Sequence, residues 1–135
     1  MKKQTRRTFL ATAGTLSGGL AASAMPFSPD DSKKLVVHHV FFWLKNPNSK
    51  EDLDKLLAGL QTLKKIETVR AIHIGVPAKT EQRSVVDASF HASELLFFDD
   101  LDGQKTYQDH PVHLEFVKNC SALWEKVIVY DSIDS

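Results

Sequence analysis

Hydrophobic positions along the chain fall into blocks of two different periods. Leu35-Val-Val-His-His-Val-Phe-Phe-Trp-Leu44 is an almost unbroken apolar run, rich in β-branched and aromatic residues, and predicts a strand. Both alternating sets are mostly apolar: Val36, His38, Val40, Phe42 and Leu44 on one side, and Val37, His39, Phe41 and Trp43 on the other. A strand apolar on both sides needs cover on both. Helices can cover one face, and in so short a chain a partner subunit is the natural cover for the second. After the turn at Asn46-Pro47-Asn48 the period changes. Leu53, Leu56, Leu57, Leu60, Leu63 and Ile66 recur at helical spacing, behind Ser49 as cap and Glu51 and Asp52 in the first turn. That pattern predicts a helix over about 50–65.

Val69 to Val76 reads as a second strand, ended by Gly75 and Pro77, with Ile72, Ile74 and Val76 on one face and Ala71, His73 and Gly75 on the other. A polar loop over 77–84 follows. Val85 to Phe98 reads as a third strand whose regular part begins near Ala88. In it Glu94 falls on the parity of Phe90, Leu96 and Phe98, so it is either an edge position facing water or a buried acid. Asp99 or Asp100 caps a short helix from Leu101 to about Gln108. A longer helix runs from Pro111 to about Leu123, with Leu114, Val117, Cys120 and Leu123 as its stripe. Trp124 to Asp131 is the last strand. The order β-α-β-β-α-α-β is that of the split β-α-β unit. The fold class is therefore α+β, a ferredoxin-like four-stranded antiparallel sheet with helices on one face.

The N-terminus follows another logic. Residues 1–10 carry Lys2, Lys3, Arg6 and Arg7 and no acid, 9–22 are mildly apolar and rich in Ala and Gly, and Ala22-Ser23-Ala24 is a small-x-small cleavage site. Thr5-Arg6-Arg7-Thr8-Phe9-Leu10 resembles the twin-arginine export signal. The expectation is a signal peptide over 1–24, a Pro-containing linker over 25–34, and one folded domain over 35–133. The protein would then be periplasmic or extracellular, with no membrane association after cleavage. Cleavage also changes the charge. The whole chain has 17 basic and 17 acidic residues; without the four leader cations, 13 face 17, a net of −4. The remaining cations form no patch, which argues against nucleic acid as a partner. Cys120 is the only cysteine, so no internal disulfide can form, and its place on the helical stripe makes it a packing residue.

The chemistry concentrates in Tyr107-Gln-Asp-His-Pro-Val-His-Leu-Glu-Phe116. Proline is suited to the first position of a helix, where its missing N–H is not needed. That puts His110 or Asp109 at the cap and His113 in the first turn, where the helix dipole disfavours imidazolium. A neutral imidazole is what a general base requires. His38, His39, His110 and His113 form two clusters, but their spacing matches no metal-ligand motif, and His38 and His39 point to opposite faces of a strand. No metal and no cofactor are expected.

Taken together, Val37-His-His-Val-Phe-Phe-Trp-Leu-Lys45, Phe97-Phe-Asp-Asp100, Tyr107-Gln-Asp-His-Pro-Val-His113 and Trp124-Glu-Lys-Val-Ile-Val-Tyr-Asp131 resemble the stress-responsive dimeric A/B barrel (Dabb) family. The resemblance covers about residues 35–133. It implies a homodimer in which the sheet of one subunit packs on that of the other, forming a dimeric α+β barrel. The motif is also similar to that of the plant polyketide cyclases of this family, the olivetolic acid cyclase type. There a Tyr and the second His of the motif carry an aldol-type cyclisation. The resemblance places those catalytic roles on Tyr107 and His113, and substrate contacts on His39, with His110 beside them. The third-strand pocket histidine of that type is Ala92 here, with His91 next to it on the opposite parity. The resulting expectation is an exported Dabb-type protein that binds a small apolar carbonyl compound and has His/Tyr acid–base chemistry. The alternative is a non-catalytic, stress-associated dimeric binding protein.

Overall fold

The structure, a computed structural model, describes residues 34–135, all within one compact unit. The expected signal peptide, and the linker up to residue 33, lie outside the described residues. Strand β1 (Val36–Leu44) leads to helix α1 (Lys50–Thr62), which tightens into a 3-10 turn over Leu63–Lys65. Strand β2 (Ala71–Gly75) and strand β3 (Ala92–Phe98) follow, then helix α2 (Leu101–Asp109) and helix α3 (Pro111–Cys120). A 3-10 turn at Ser121–Leu123 feeds strand β4 (Trp124–Ile133). The sheet has the order β2-β3-β1-β4 with every pair antiparallel, the ferredoxin-like arrangement expected from the hydrophobic pattern.

Local chemistry starts the helices as expected. Ser49 Oγ accepts the Asp52 N–H and Asp100 Oδ1 accepts the Gly103 N–H, so each satisfies a first-turn donor that has no partner within the helix. His110 is the cap of α3, immediately before Pro111. The core lies between the sheet and the helices. Val36, Val40, Phe42 and Leu44 from β1, Leu56 and Leu60 from α1, Leu63 and Ile66, and Leu96 and Phe98 from β3 are all buried in it. Residues opposite one another across antiparallel strands share a face. The other face therefore carries Val37, His39, Phe41 and Trp43 with Leu95, Phe97, Ile128 and Tyr130. It is open in the single chain, and Tyr130 is 64% exposed.

Three expectations need correction. The stripe of α3 keeps Cys120, which is buried, and Leu123, which packs against the core, but not Leu114 and Val117, which are 56% and 36% exposed. Phe116 is buried in their place, with Val112 packed against the core. Both sets have helical spacing, and the winning one brings Phe116 edge-on to Phe42 and within 5.8 Å of Trp124. Gly59 of α1 allows the close approach, since a Cβ there would stand 2.5 Å from Cys120 Sγ. Strand β2 is shorter than 69–76, and Val76 lies outside it, half exposed. Strand β3 begins at Ala92 rather than near Ala88: β2 ends at Gly75, opposite Ser93, and the paired register with β1 starts at Phe42 and Ala92. One residue further out, the His91 N–H still donates to the Phe42 carbonyl at 2.8 Å, and its Nδ1 accepts the Leu44 N–H at 2.9 Å.

Candidate active site on the helix-facing side of the sheet

The short α2–α3 junction sets the geometry of the motif. His110 is extended between the two helices, and its Nδ1 accepts the Val112 N–H at 3.0 Å. The other ring nitrogen lies 3.3 Å from Glu67 Oε1. His110 is thus a cap and a tie to the turn after α1. Tyr107, in the last turn of α2, is fully buried. His113 lies across the junction with its ring centroid 4.7 Å from that of Tyr107, so these two expected residues are brought together.

His113 Nδ1 is 3.1 Å from the Gln108 carbonyl, which can only accept, so Nδ1 carries the ring proton. In the neutral ring Nε2 then holds a lone pair. Burial lowers the pKa of His113 from 6.5, with His38 adding to the effect, while the Gln108 hydrogen bond and Asp109 oppose it. The neutral state expected from the helix dipole is thus favoured, chiefly through desolvation.

His39 does not join this pair. It lies on the outer face, where its ring stacks 4.2 Å from Phe41. Its neighbour His38 takes the inner position. The His38 ring meets that of Tyr107 at 5.7 Å, and its Nδ1 lies 2.5 Å from Asp131 Oδ1 on β4. The pleat decides this: the helices cover the Val36/Val40/Phe42 side of β1, and only even-numbered residues of the strand share that side.

Glu94 completes the cluster; its sequence parity allows either an edge position or a buried acid. It is 2% exposed, so it is the buried acid. The strands beside it contribute Val40 and Ile74 at its register, both apolar. Tyr107 Oη donates to Glu94 Oε2 at 3.2 Å, and Oε1 has no hydrogen-bond partner. Burial raises the carboxyl pKa to about 7, against a smaller lowering from the Tyr107 hydrogen bond. Tyr107 itself is pushed up, first by burial and then by Glu94, so it stays a phenol. Asp131 could have been suspected only from register: it is the β4 residue opposite His38.

Cys120 is buried and its pKa is raised by burial, which is the behaviour of a packing thiol. Among the described residues no group of three or more His, Cys, Asp and Glu side chains is arranged to hold a metal ion, and no helix is long and apolar enough to cross a membrane. Cavities of about 660 Å³ along the loop over 77–88 and about 450 Å³ beside Arg70, Asp99 and Asp102 lie away from the cluster. A smaller one of about 310 Å³ runs between α1 and α3 past Gly59, Phe116 and Cys120, and one of about 150 Å³ opens on the outer face among Phe41, Trp43, Phe90 and Tyr130.

Residues 36–134 match the family model described as the stress responsive A/B barrel domain. The chain belongs to that family. A stress-response A/B barrel domain-containing protein of Arabidopsis thaliana is 29% identical over 85 residues, which span 61% of this chain and 75% of the relative. Among solved structures, a hydroxynitrile lyase from Passiflora edulis superposes with a TM-score of 0.63 at 22% identity, over 76% of this chain and 95% of that one. A dimeric ferredoxin-like protein of unknown function from Thermobifida fusca gives a TM-score of 0.61 at 14% identity, over 81% and 99%. At these identities the structural likeness speaks to the fold, and the A/B barrel scaffold is common to proteins with and without an assigned activity.

Proposed function

We propose that the protein binds a small apolar carbonyl compound at the His38–Tyr107–His113 cluster and catalyses proton transfer next to its carbonyl group. His113 is the base: Nε2 takes a proton from the carbon beside the carbonyl, while a hydrogen-bond donor on the Tyr107 side steadies the oxygen. His38, tied to Asp131, closes the wall behind Tyr107. One observation carries this reading. The Gln108 carbonyl fixes the His113 tautomer so that an unprotonated nitrogen belongs to a ring that burial keeps neutral. A buried set of ionisable groups with perturbed pKa values also costs stability, and such sets concentrate at functional sites. The hydroxynitrile lyase from Passiflora edulis shows that this scaffold can host catalysis.

Full burial of Tyr107 favours a second reading, in which the cluster is a polar core and the protein is a non-catalytic binding dimer. In both readings we place a second copy on the outer sheet face, forming the dimeric α+β barrel. The support is its row of Phe41, Trp43, Phe97 and Ile128, which the single chain leaves only partly buried, and the dimeric state of the Thermobifida fusca protein. We also assign residues 1–24 to a twin-arginine signal and the folded domain to the periplasm or exterior, on the strength of the Thr5–Leu10 motif.

The test is α-proton exchange of acetophenone in D₂O followed by NMR. Catalysed exchange is expected, abolished in His113→Ala and retained in His39→Ala. Exchange indifferent to His113→Ala would remove the catalytic reading. N-terminal sequencing of the secreted form should begin at Met25, and retention in the cytoplasm would refute the export assignment.

A further inference from the structure

Glu94 is a buried carboxyl whose chemistry the His/Tyr pair does not use. Its carboxyl stands at the floor of the cluster, with Val40 and Ile74 beside it in the sheet and Tyr107 as its only polar contact. A hydrophobic residue would fill this position at lower cost, because a buried carboxyl with an unmatched oxygen loses its hydration without full replacement. The geometry also divides the two oxygens. Tyr107 Oη donates to Oε2, so the phenol proton is already committed. Oε1 is the oxygen left without a partner.

Resting on the proposed carbonyl site, we infer that Glu94 is its general acid: Oε1 carries the proton that the carbonyl oxygen receives, and Tyr107 is a positioning residue that holds Oε2. The step balances. His113 Nε2 takes the proton of the carbon beside the carbonyl, the C–H pair becomes the enol double bond, and the carbonyl π pair goes to oxygen. Glu94 Oε1–H gives its proton to that oxygen, leaving an enol, an imidazolium and a carboxylate. Reversal with a solvent-exchanged proton on His113 returns the labelled ketone. The two environments push in opposite directions, burial holding His113 neutral and lifting Glu94 to about 7, which is the pattern that separates a base from an acid in one site. The other titratable groups around the pair, among the described residues, are His38, Tyr107, Asp109 and the buried Cys120, with Asp131 opposite His38.

The experiment is the pH profile of acetophenone exchange at low probe concentration, in wild type, Glu94→Gln, Glu94→Leu and His113→Ala. The wild-type rate should rise with pH through the lowered His113 pKa and fall again above about 7 as Glu94 ionises. Glu94→Gln keeps a neutral donor but cannot transfer a proton. It should lose the descending limb and about tenfold or more in rate, and Glu94→Leu about a hundredfold. A descending limb that survives in Glu94→Gln overturns the assignment while leaving His113 as base. Absence of exchange in the wild type overturns both this inference and the site it rests on. Carbon-13 NMR of labelled glutamate supplies a readout independent of activity: one carboxyl should titrate near pH 7 and vanish in Glu94→Gln, and its titration near 4.5 would equally refute the acid role.

Discussion

The two faces of the sheet are built from one alternating pattern and end in different chemistry. His38 and His39 are neighbours in β1, both in apolar surroundings by sequence. On the inner face His38 meets a carboxylate at 2.5 Å and a buried phenol, in a cluster where Glu94 and Tyr107 act on each other's protonation and His38 acts on that of His113. On the outer face His39 meets Phe41, which in turn touches Phe90 and Tyr130, and among the described residues no carboxylate pairs with it. Desolvation lowers the pKa of His39, with His73 and His38 adding to the effect. The difference comes from what lies opposite. Helices α2 and α3 deliver polar groups to one face at fixed positions, whereas the other face offers a row of rings to whatever covers it. A buried polar group acquires a defined role only where its partners are fixed.

That contrast can be broken from either side. Tyr107→Ala should have the largest effect. It removes a fully buried ring packed against His38, Phe98 and His113, at a cost of about 4 kcal/mol by the range for large-to-small aromatic changes in cores. Urea unfolding measures it, and a loss below 1 kcal/mol would mean that the inner cluster is not a packed unit. The outer face should instead respond through association. Phe41→Asp places a charge on each copy's covered face, and should weaken the dimer by about 3 kcal/mol or roughly a hundredfold. Light scattering at micromolar concentration should then report one chain where wild type reports two. An unchanged dimer would show that this face is not the interface.

Glu94→Gln separates the faces by pH. The folded carboxyl titrates near 7 against 4.5 in an unfolded chain, so its protonated form is favoured by folding. Native stability therefore falls as pH rises from about 4.5 to 7 and is lowest above that range. The glutamine variant lacks this loss and should exceed wild type at pH 8 by up to about 3 kcal/mol, with little difference at pH 4.5. Equal pH dependence in the two proteins would place the titration elsewhere. His110→Ala should have the smallest effect, about 1 kcal/mol for loss of a helix cap, with acetophenone exchange retained. A selective loss of exchange at unchanged stability would return His110 to the binding site.

Much of the fold was legible because it depends on periodicity and local caps. The alternation over Val36–Leu44, the leucine stripe of α1, Ser49 as cap and the His110-Pro111 junction all survive unchanged in the structure. The errors share a cause. Leu114/Val117 against Val112/Phe116 on α3, and His39 against His38 on β1, are choices between two faces that local pattern leaves equal. Packing settles each: Gly59 and the ring of Phe116 settle the first, and helix cover on the even side of β1 the second.

The sequence by itself determined the element order and the place of Pro111, because these follow from spacing within a few residues; the ferredoxin-like topology followed from that order, and the pairing of Tyr107 with His113 from the resemblance to the family. Only the tertiary structure decided that Glu94 is buried, that Asp131 holds His38, and that His39 and His110 stand apart from the cluster. Those facts depend on residues brought together from distant parts of the chain, such as the 93-residue separation of His38 and Asp131. No local period encodes which side of a strand the helices will cover.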